Sequence, residues 1–251
     1  MNHSKKYQKK LFNLIKLISE SDKFNANENS NMSYTFINPY SYLIARKNPD
    51  LFLSFDKIFL DGISLVILFK LFGIQVERRS FDMTSIAKDV FEEADKNKRP
   101  IAVVGSTDED LKKFKDFISK KYKNIYWDQL VCGFFKSEPE KLVAANNICQ
   151  MNPSITIIGM GSGNQEGFAK ILIDKKYNGK IYTCGGFIHQ TASKNINYYP
   201  KIFDKLNIRW IYRIIDEPKL IKRYIKIYPI SIITLTYDLI LFKLKIKPHD
   251  L

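Results

Sequence analysis

The sequence predicts an α/β fold, a parallel sheet with helices on both faces. Two observations carry this. Through the middle of the chain, short apolar runs take turns with helix-length segments, as strand–helix–strand units do. The runs "PIAVVG" (100–105), "SITIIGMG" (154–161) and "KIYTCGG" (180–186) are the strands, and the apolar ones read as buried. At 251 residues the chain can form one large domain or two small ones with a real core.

The elements follow in chain order. "MNHSKKYQKKLFNLIKLISESDK" reads as a basic amphipathic helix; Lys16 interrupts its apolar stretch and no small-residue cleavage site follows, so it is not read as a leader. "NANENSNM" is a loop or linker. "YTFIN" is a short strand ending at Asn38, with a helix after Pro39. "KIFL" is an apolar strand, and "DGISLVILFKLFG" is a loop turning into a helix that ends at Gly73. After "PIAVVG", "TDEDLKKFKDFISKKY" is a helix with Thr107 as N-cap and acids in its first turn. "NIYWDQ" and "SITIIGMG" are strands followed by the helices "EPEKLVAANNICQ" and "NQEGFAKILIDKK" respectively.

Lys and Arg number 40 against 26 Asp and Glu, a net charge of +14. Such an excess suits a polyanionic neighbour: nucleic acid, an anionic membrane surface, or phosphorylated substrates. Cys132, Cys149 and Cys184 match no metal motif and no closed disulfide set, which suits a reducing cytoplasm. No apolar run is expected to reach the roughly 20 residues that span a bilayer. "ISIITLTYDLILF" (230–242) comes nearest, and it contains Asp238.

In parallel sheets, ligands sit beyond the carboxyl ends of the strands. That rule selects Asn38, Asp61, Gly105, Gly159 to Gln165 and Gly185 to His189. In "GMGSGNQE" the glycines Gly159 and Gly161 let backbone N–H groups approach a phosphate at a helix start. Gln165 and Glu166 can hydrogen-bond a sugar or a uracil edge. The turn lacks the third glycine of a dinucleotide fingerprint and is no Walker loop; a glycine turn without ligand is the plain alternative. Asp61 in "FLDG" can act as a general base, or simply cap the next helix. "ERRSFD" offers Arg78 and Arg79 for a diphosphate, or a solvated charge cluster. His189 in "GGFIHQT" is read as structural before catalytic.

Together "FIN", "FLDGISLV", "ERRSFD", "GMGSGNQE", "CGGFIHQTA" and "LNIRWIYRIIDEPKLIKRY" resemble the WecG/TagA/CpsF glycosyltransferases, over roughly Tyr34 to Tyr224. The resemblance implies a Rossmann-like core with a helical C-terminal appendage. It implies an inverting, single-displacement transfer of an N-acetylhexosamine-type sugar (N-acetylmannosamine or a derivative). The donor would be a UDP-sugar and the acceptor a polyprenyl-diphosphate-linked sugar, in cell-surface polysaccharide synthesis. Asp61 then matches the general base. Asn38, Gln165 and Arg78 match pocket residues, with Arg79 the alternative to Arg78. Arg213 and Arg223 match appendage arginines that reach the diphosphate. The family implies no metal and no cofactor; the UDP-sugar is a substrate. The chain departs from the family at Phe36, where a threonine is usual, at "FIHQ", where Ile188 or His189 replaces an Asp, and at "YYP" (198–200).

Pro218 fits the first turn of a helix. From it Lys219, Lys222, Arg223 and Lys226 are expected on one face, and Leu220, Ile221, Tyr224, Ile225 and Tyr228 on the other. Such a helix can lie in an anionic membrane interface; alternatively its apolar face packs on the domain. The expected organisation is an N-terminal helix and linker (1–32), a catalytic core (33–207) and a membrane-associating appendage (208–251), detachable from about Ile211. The expected location is the cytoplasmic face of the membrane, with homo-oligomerisation left open. Two rivals are a Rossmann-like oxidoreductase using a nucleotide cofactor and a basic nucleic-acid-binding protein. Concentration of bases on one terminal helix favours a membrane over nucleic acid.

Overall fold

The computed structural model describes residues 2–21, 23–27, 31–194 and 218–245. Among them, six strands form one sheet: β1 (Ser33–Ile37), β2 (Lys57–Leu60), β3 (Pro100–Gly105), β4 (Tyr126–Val131), β5 (Ile155–Gly159) and β6 (Lys180–Thr183). Their order is β2-β1-β6-β5-β3-β4, and every pair is parallel. This is the expected Rossmann-like α/β architecture.

The helices are α1 (Asn2–Glu20), α2 (Pro39–Lys47), α3 (Pro49–Phe52), α4 (Ile63–Leu71), α5 (Ile86–Lys96), α6 (Asp108–Lys121), α7 (Glu138–Met151), α8 (Asn164–Asp174), α9 (Phe187–Lys194) and α10 (Tyr228–Lys245). Local chemistry starts several of them. Thr107 accepts from the Asp110 N–H, and Ser137 from the Glu140 N–H. Three departures from expectation stand out. α5 was not predicted, although Ile86, Ala87, Val90, Phe91 and Ala94 recur at helical spacing and are all buried. α9 was not predicted either. β4 runs two residues further than "NIYWDQ".

Strand period 2 sorts side chains into two cores. Tyr34, Phe59 and Tyr182 face an aromatic layer with Phe81, Phe91, Phe114 and Phe187, under α5, α6 and α9. Ile37, Ile58 and Leu60 face the opposite layer, which takes in Leu14, Ile15 and Ile18 of α1 and Leu235 and Leu239 of α10. Burying each such aliphatic side chain contributes about 1.5–3 kcal/mol. Both terminal helices therefore belong to the main core.

The start of α10 is shaped by Pro229. A proline cannot donate to Ile225, and its ring crowds that carbonyl. A π-helical turn, Arg223–Ile227, absorbs this: the Tyr228 N–H reaches back to the Arg223 carbonyl. The observed division of faces differs from the expected one. Leu220 is buried, and Tyr224 and Tyr228 line a cavity, while Ile221 and Ile225 point to solvent. The side chain of Lys219 lies outside the described residues.

The helical run Arg223–Leu244 has 22 residues and a mean hydropathy of 1.5, enough by length and composition to cross a membrane. The sequence reading had excluded such a run, partly because of Asp238. Asp238 is only 2% exposed, and it turns inward. Its carboxylate accepts from Arg46 Nε at 2.7 Å, Arg46 Nη2 at 3.1 Å and Tyr42 Oη at 2.7 Å. Burial, then the Asp238 charge, holds the Tyr42 hydroxyl well above its usual value. Breaking a buried pair costs about 3–5 kcal/mol, less where one partner is partly exposed as Arg46 is. The expected detachable arm is thus corrected: removing α10 would strip the core of Leu235 and Leu239 and strand Arg46. The other side of α10 is bare; Ile233, Tyr237, Ile240 and Leu244 are all exposed.

Candidate active site

A cavity of about 1180 Å³ opens along the carboxyl ends of the strands. It exceeds the ~300–1,000 Å³ of ordinary small-molecule sites.

On one side stands Asp61, just past β2. Its N–H donates to the Ile37 carbonyl at 2.8 Å, which continues the β1–β2 ladder by one residue. α4 is capped from Gly62 without a side-chain bond, so the plain reading of Asp61 as that helix's N-cap side chain does not hold. The segment before Arg78 is stitched to the sheet edge by the Leu60–Arg78 bridge and the Arg79 N–H to Leu60 carbonyl bond. This sets Arg78 beside Asp61, with Nη2 to Oδ1 at 3.2 Å. The same Nη2 donates to Ser80 Oγ at 3.1 Å, and Asp82 lies 3.9 Å away. Arg78 lines the cavity, while Arg79 pairs with Glu77 outside it. Asn38 also lines the cavity, but its Oδ1 caps α2 by accepting from the Ser41 N–H at 3.0 Å. What Asn38 can offer a ligand is its amide nitrogen.

In the middle lies the turn after β5. Gly161 and Gly163 have φ of +79° and +92°, values at which a side chain is strained. Gly159, Gly161 and Gln165 line the cavity. Gln165 is anchored at both ends: Oε1 accepts from the Gly185 N–H at 3.0 Å, and Nε2 donates to Glu166 Oε1 at 2.8 Å. Glu166 corrects the expectation. It is 0% exposed and points away from the cavity into the sheet. Its oxygens accept from Thr35, Gln165 and the Gly163 N–H, so it cannot reach a sugar or a uracil edge. Burial raises its pKa, against the pull of those hydrogen bonds. Thr35, beside Phe36 where a threonine is usual, belongs to this buried network with Thr183.

On the far side, the floor is backbone. A Cβ on Gly105 would lie 2.2 Å from the Gly159 carbonyl oxygen, and one on Gly133 would lie 2.6 Å from the Gly105 Cα. So the ends of β3 and β5 and the loop after β4 meet without side chains between them. Ser106 follows with φ +51°, an uncommon value for a non-glycine residue. Its hydroxyl donates to Asp110 Oδ2, and His189 Nδ1 lies 2.8 Å from the same oxygen. Burial pushes the Asp110 carboxyl up, but the bonds from Ser106 and His189 outweigh it and leave it below its usual value. Sequence reasoning passed over Asp110 as a helix-start acid and over α9, which carries His189 to it.

Over the mouth, Arg223 stacks on the Tyr40 ring with 4.0 Å to its centroid. Arg223, Tyr224 and Tyr228 line the cavity. Arg213 lies outside the described residues. Among the described residues, no group of three or more His, Cys, Asp or Glu is placed to hold a metal ion.

Residues 13–244 match the Glycosyl transferase WecG/TagA/CpsF family. The chain is 36% identical over 218 residues to the UDP-Gal:alpha-D-GlcNAc-diphosphoundecaprenol beta-1,4-galactosyltransferase of Shigella boydii, covering 86% of this chain and 91% of that protein. It is 26% identical over 223 residues to the N-acetylglucosaminyldiphosphoundecaprenol N-acetyl-beta-D-mannosaminyltransferase of Bacillus subtilis (strain 168), covering 86% of this chain and 83% of that protein. The chain thus belongs to the WecG/TagA/CpsF family of glycosyltransferases.

Proposed function

We propose that this glycosyltransferase moves a hexose from a UDP-sugar to an N-acetylglucosamine carried on a polyprenyl diphosphate. The acceptor class is the one named for both relatives. The observation that carries the proposal is the single cavity gathering Asn38, Asp61, Arg78, the Gly159–Gln165 turn and Arg223. UDP-galactose is favoured over UDP-N-acetylmannosamine, because the galactosyltransferase is the more similar of the two relatives and Phe36 and "FIHQ" depart from the family pattern.

In this reading the acceptor hydroxyl gives its proton to Asp61 as its oxygen attacks the anomeric carbon. The bond to the UDP oxygen breaks and the centre inverts, with no metal or other cofactor taking part. Arg78 holds the Asp61 carboxylate in place. Ser80 and Asp82 share that arginine. Arg223 and the Gly159–Gly161 backbone suit diphosphate groups. Glu166 and Gln165 act as positioning residues, tying the turn after β5 to Gly185.

We also infer that α10 rests on the cytoplasmic face of an anionic membrane. The stripe Ile225, Ile233, Tyr237, Ile240 and Leu244 is exposed, and Lys222, Lys226 and Lys243 stand out beside it. Ile67 and Leu71 of α4, which packs on α10, add to the exposed apolar surface. The cavity mouth, at Arg223 and Tyr228, opens at one end of this stripe, where a lipid-linked acceptor would arrive. Binding to anionic liposomes at low salt, lost when Ile233 and Tyr237 become Glu, is the expected result; a protein indifferent to liposomes contradicts it.

The test of the main reading is a donor screen. UDP release is measured with UDP-galactose, UDP-N-acetylmannosamine and UDP-N-acetylglucosamine, with and without a short-chain N-acetylglucosaminyl diphosphate lipid. Acceptor-dependent release, fastest with UDP-galactose, is expected. No release with any donor, together with NAD binding, would point to the oxidoreductase instead.

A further inference from the structure

We propose that His189, held by Asp110, is the cation that meets the diphosphate of the donor and takes up the charge of the leaving group. This rests on the UDP-sugar reading above.

Three observations lead there. First, the ring of His189 lines the cavity and the side chain is 62% exposed, while Nδ1 is fixed on Asp110. That leaves Nε2 as the nitrogen that can meet a ligand. Second, α9 starts directly over the glycine turn. A Cβ on Gly159 would fall 2.8 Å from Ile188 Cδ1, the residue before His189. Ile188 thus packs on Gly159, and His189, one residue on, lines the same cavity as Gly159 and Gly161. Third, Asp110 is itself built in. It opens α6, takes the Ser106 hydroxyl, and receives the charge of Lys113 one turn along. A carboxylate so held fixes the ring with Nδ1 on Asp110 and leaves Nε2 for a ligand.

The chemistry follows from charge balance. When the bond from the anomeric carbon to the β-phosphate oxygen breaks, the electron pair stays on that oxygen. An Nε2–H of protonated His189 can donate to it, a charge-assisted bond of the strong kind. The acceptor proton goes to Asp61, so the two groups share the work without exchanging a proton. Among the described residues, the charged groups against His189 are Asp110 and, through it, Lys113, both on α6, with Ser106 the neutral neighbour.

The experiment compares binding of UDP, UMP and uridine to the full chain, wild type and His189→Gln, between pH 5 and pH 8. Wild type should bind UDP more weakly as pH rises across that interval, in which an imidazole loses its proton. His189→Gln should bind UDP roughly ten- to a hundred-fold more weakly at the low end, lose the pH dependence, and bind uridine normally. Asp110→Asn, which keeps the shape but not the charge, should weaken UDP binding while leaving uridine binding unchanged. If UDP, UMP and uridine all weaken equally, His189 reads the nucleoside and the proposal is overturned. If the variant binds UDP as wild type does, it is overturned while the UDP-sugar reading stands. If wild type binds no UDP, both fall.

Discussion

Two carboxylates face one cavity from its two sides, each beside a cation, and the pairs are built differently. Asp61 follows β2 and pairs with Arg78; Asp110 opens α6 after β3 and pairs with His189. Asp110 follows β3, four steps from β2 in the sheet, but His189 follows β6, only two steps away, so about 10 Å separates the strand axes that carry Asp61 and His189 at ~4.8 Å per step. The arginine keeps its charge at any working pH, so the first pair offers a constant field around a carboxylate that can accept a proton. The histidine can lose its charge, so the second pair offers a cation that depends on pH. The surroundings differ as well. Side chains crowd the Asp61 side, with Ser80, Asp82 and Asn38 close by. The Asp110 side stands over the bare backbone of Gly105, Gly133 and Gly159. In the proposed reading, one side meets the acceptor hydroxyl and the other the diphosphate.

The largest effect should come from breaking the first pair. Asp61→Asn keeps the size and the Arg78 contact but removes the base, so kcat should fall roughly 10²–10⁴-fold with UDP binding and melting temperature nearly unchanged. Wild-type turnover would remove Asp61 from the chemistry.

The second change breaks the floor under the other pair. Gly105→Ala forces a Cβ to 2.2 Å from the Gly159 oxygen at a φ of +145°. Separating β3 from β5 there should cost about 2–4 kcal/mol in urea unfolding, and UDP binding should weaken. A stable variant with normal UDP affinity would show that the floor has room to spare.

The smallest effect sharpens the comparison by acting between the pairs. Glu166 is buried under the middle of the cavity with a raised pKa, chiefly from burial. A raised folded value means its stabilising contribution is full below the unfolded value near 4.5 and is lost as pH rises through the folded value. Glu166→Gln cannot titrate. The stability of wild type relative to this variant should therefore decline from about pH 4 toward neutrality. A difference flat with pH would mean that Glu166 is not raised.

Much of this was legible in the sequence. The alternating runs gave the parallel sheet, and the strand-end rule picked Asn38, Asp61, Gly159, Gly161, Gln165 and His189, all of which line the cavity. What stayed hidden depended on side-chain direction or on distance along the chain. Glu166 sits one residue from Gln165, yet one helical step turns it from the cavity into the sheet. Asp238 read as a charge breaking an apolar run; its partner Arg46 lies 192 residues away. The division of faces after Pro218 failed because the helix is turned about its axis on the domain: Leu220 is buried and Tyr224 and Tyr228 line the cavity, while Ile221 and Ile225 face solvent. His189 was legible as a rim residue but not as half of a pair, since Asp110 is 79 residues earlier and α9 was not foreseen.

The central claim is that the two pairs divide the reaction, Asp61 taking the acceptor proton and His189 carrying the leaving group's charge. Its most direct test is the pH profile of kcat/KM for acceptor-dependent UDP release in wild type, Asp61→Asn and His189→Gln. Wild type should give a bell. The residual activity of Asp61→Asn should lose the acid limb and keep the alkaline one, and His189→Gln should do the reverse. Profiles in which both variants retain both limbs would contradict the account.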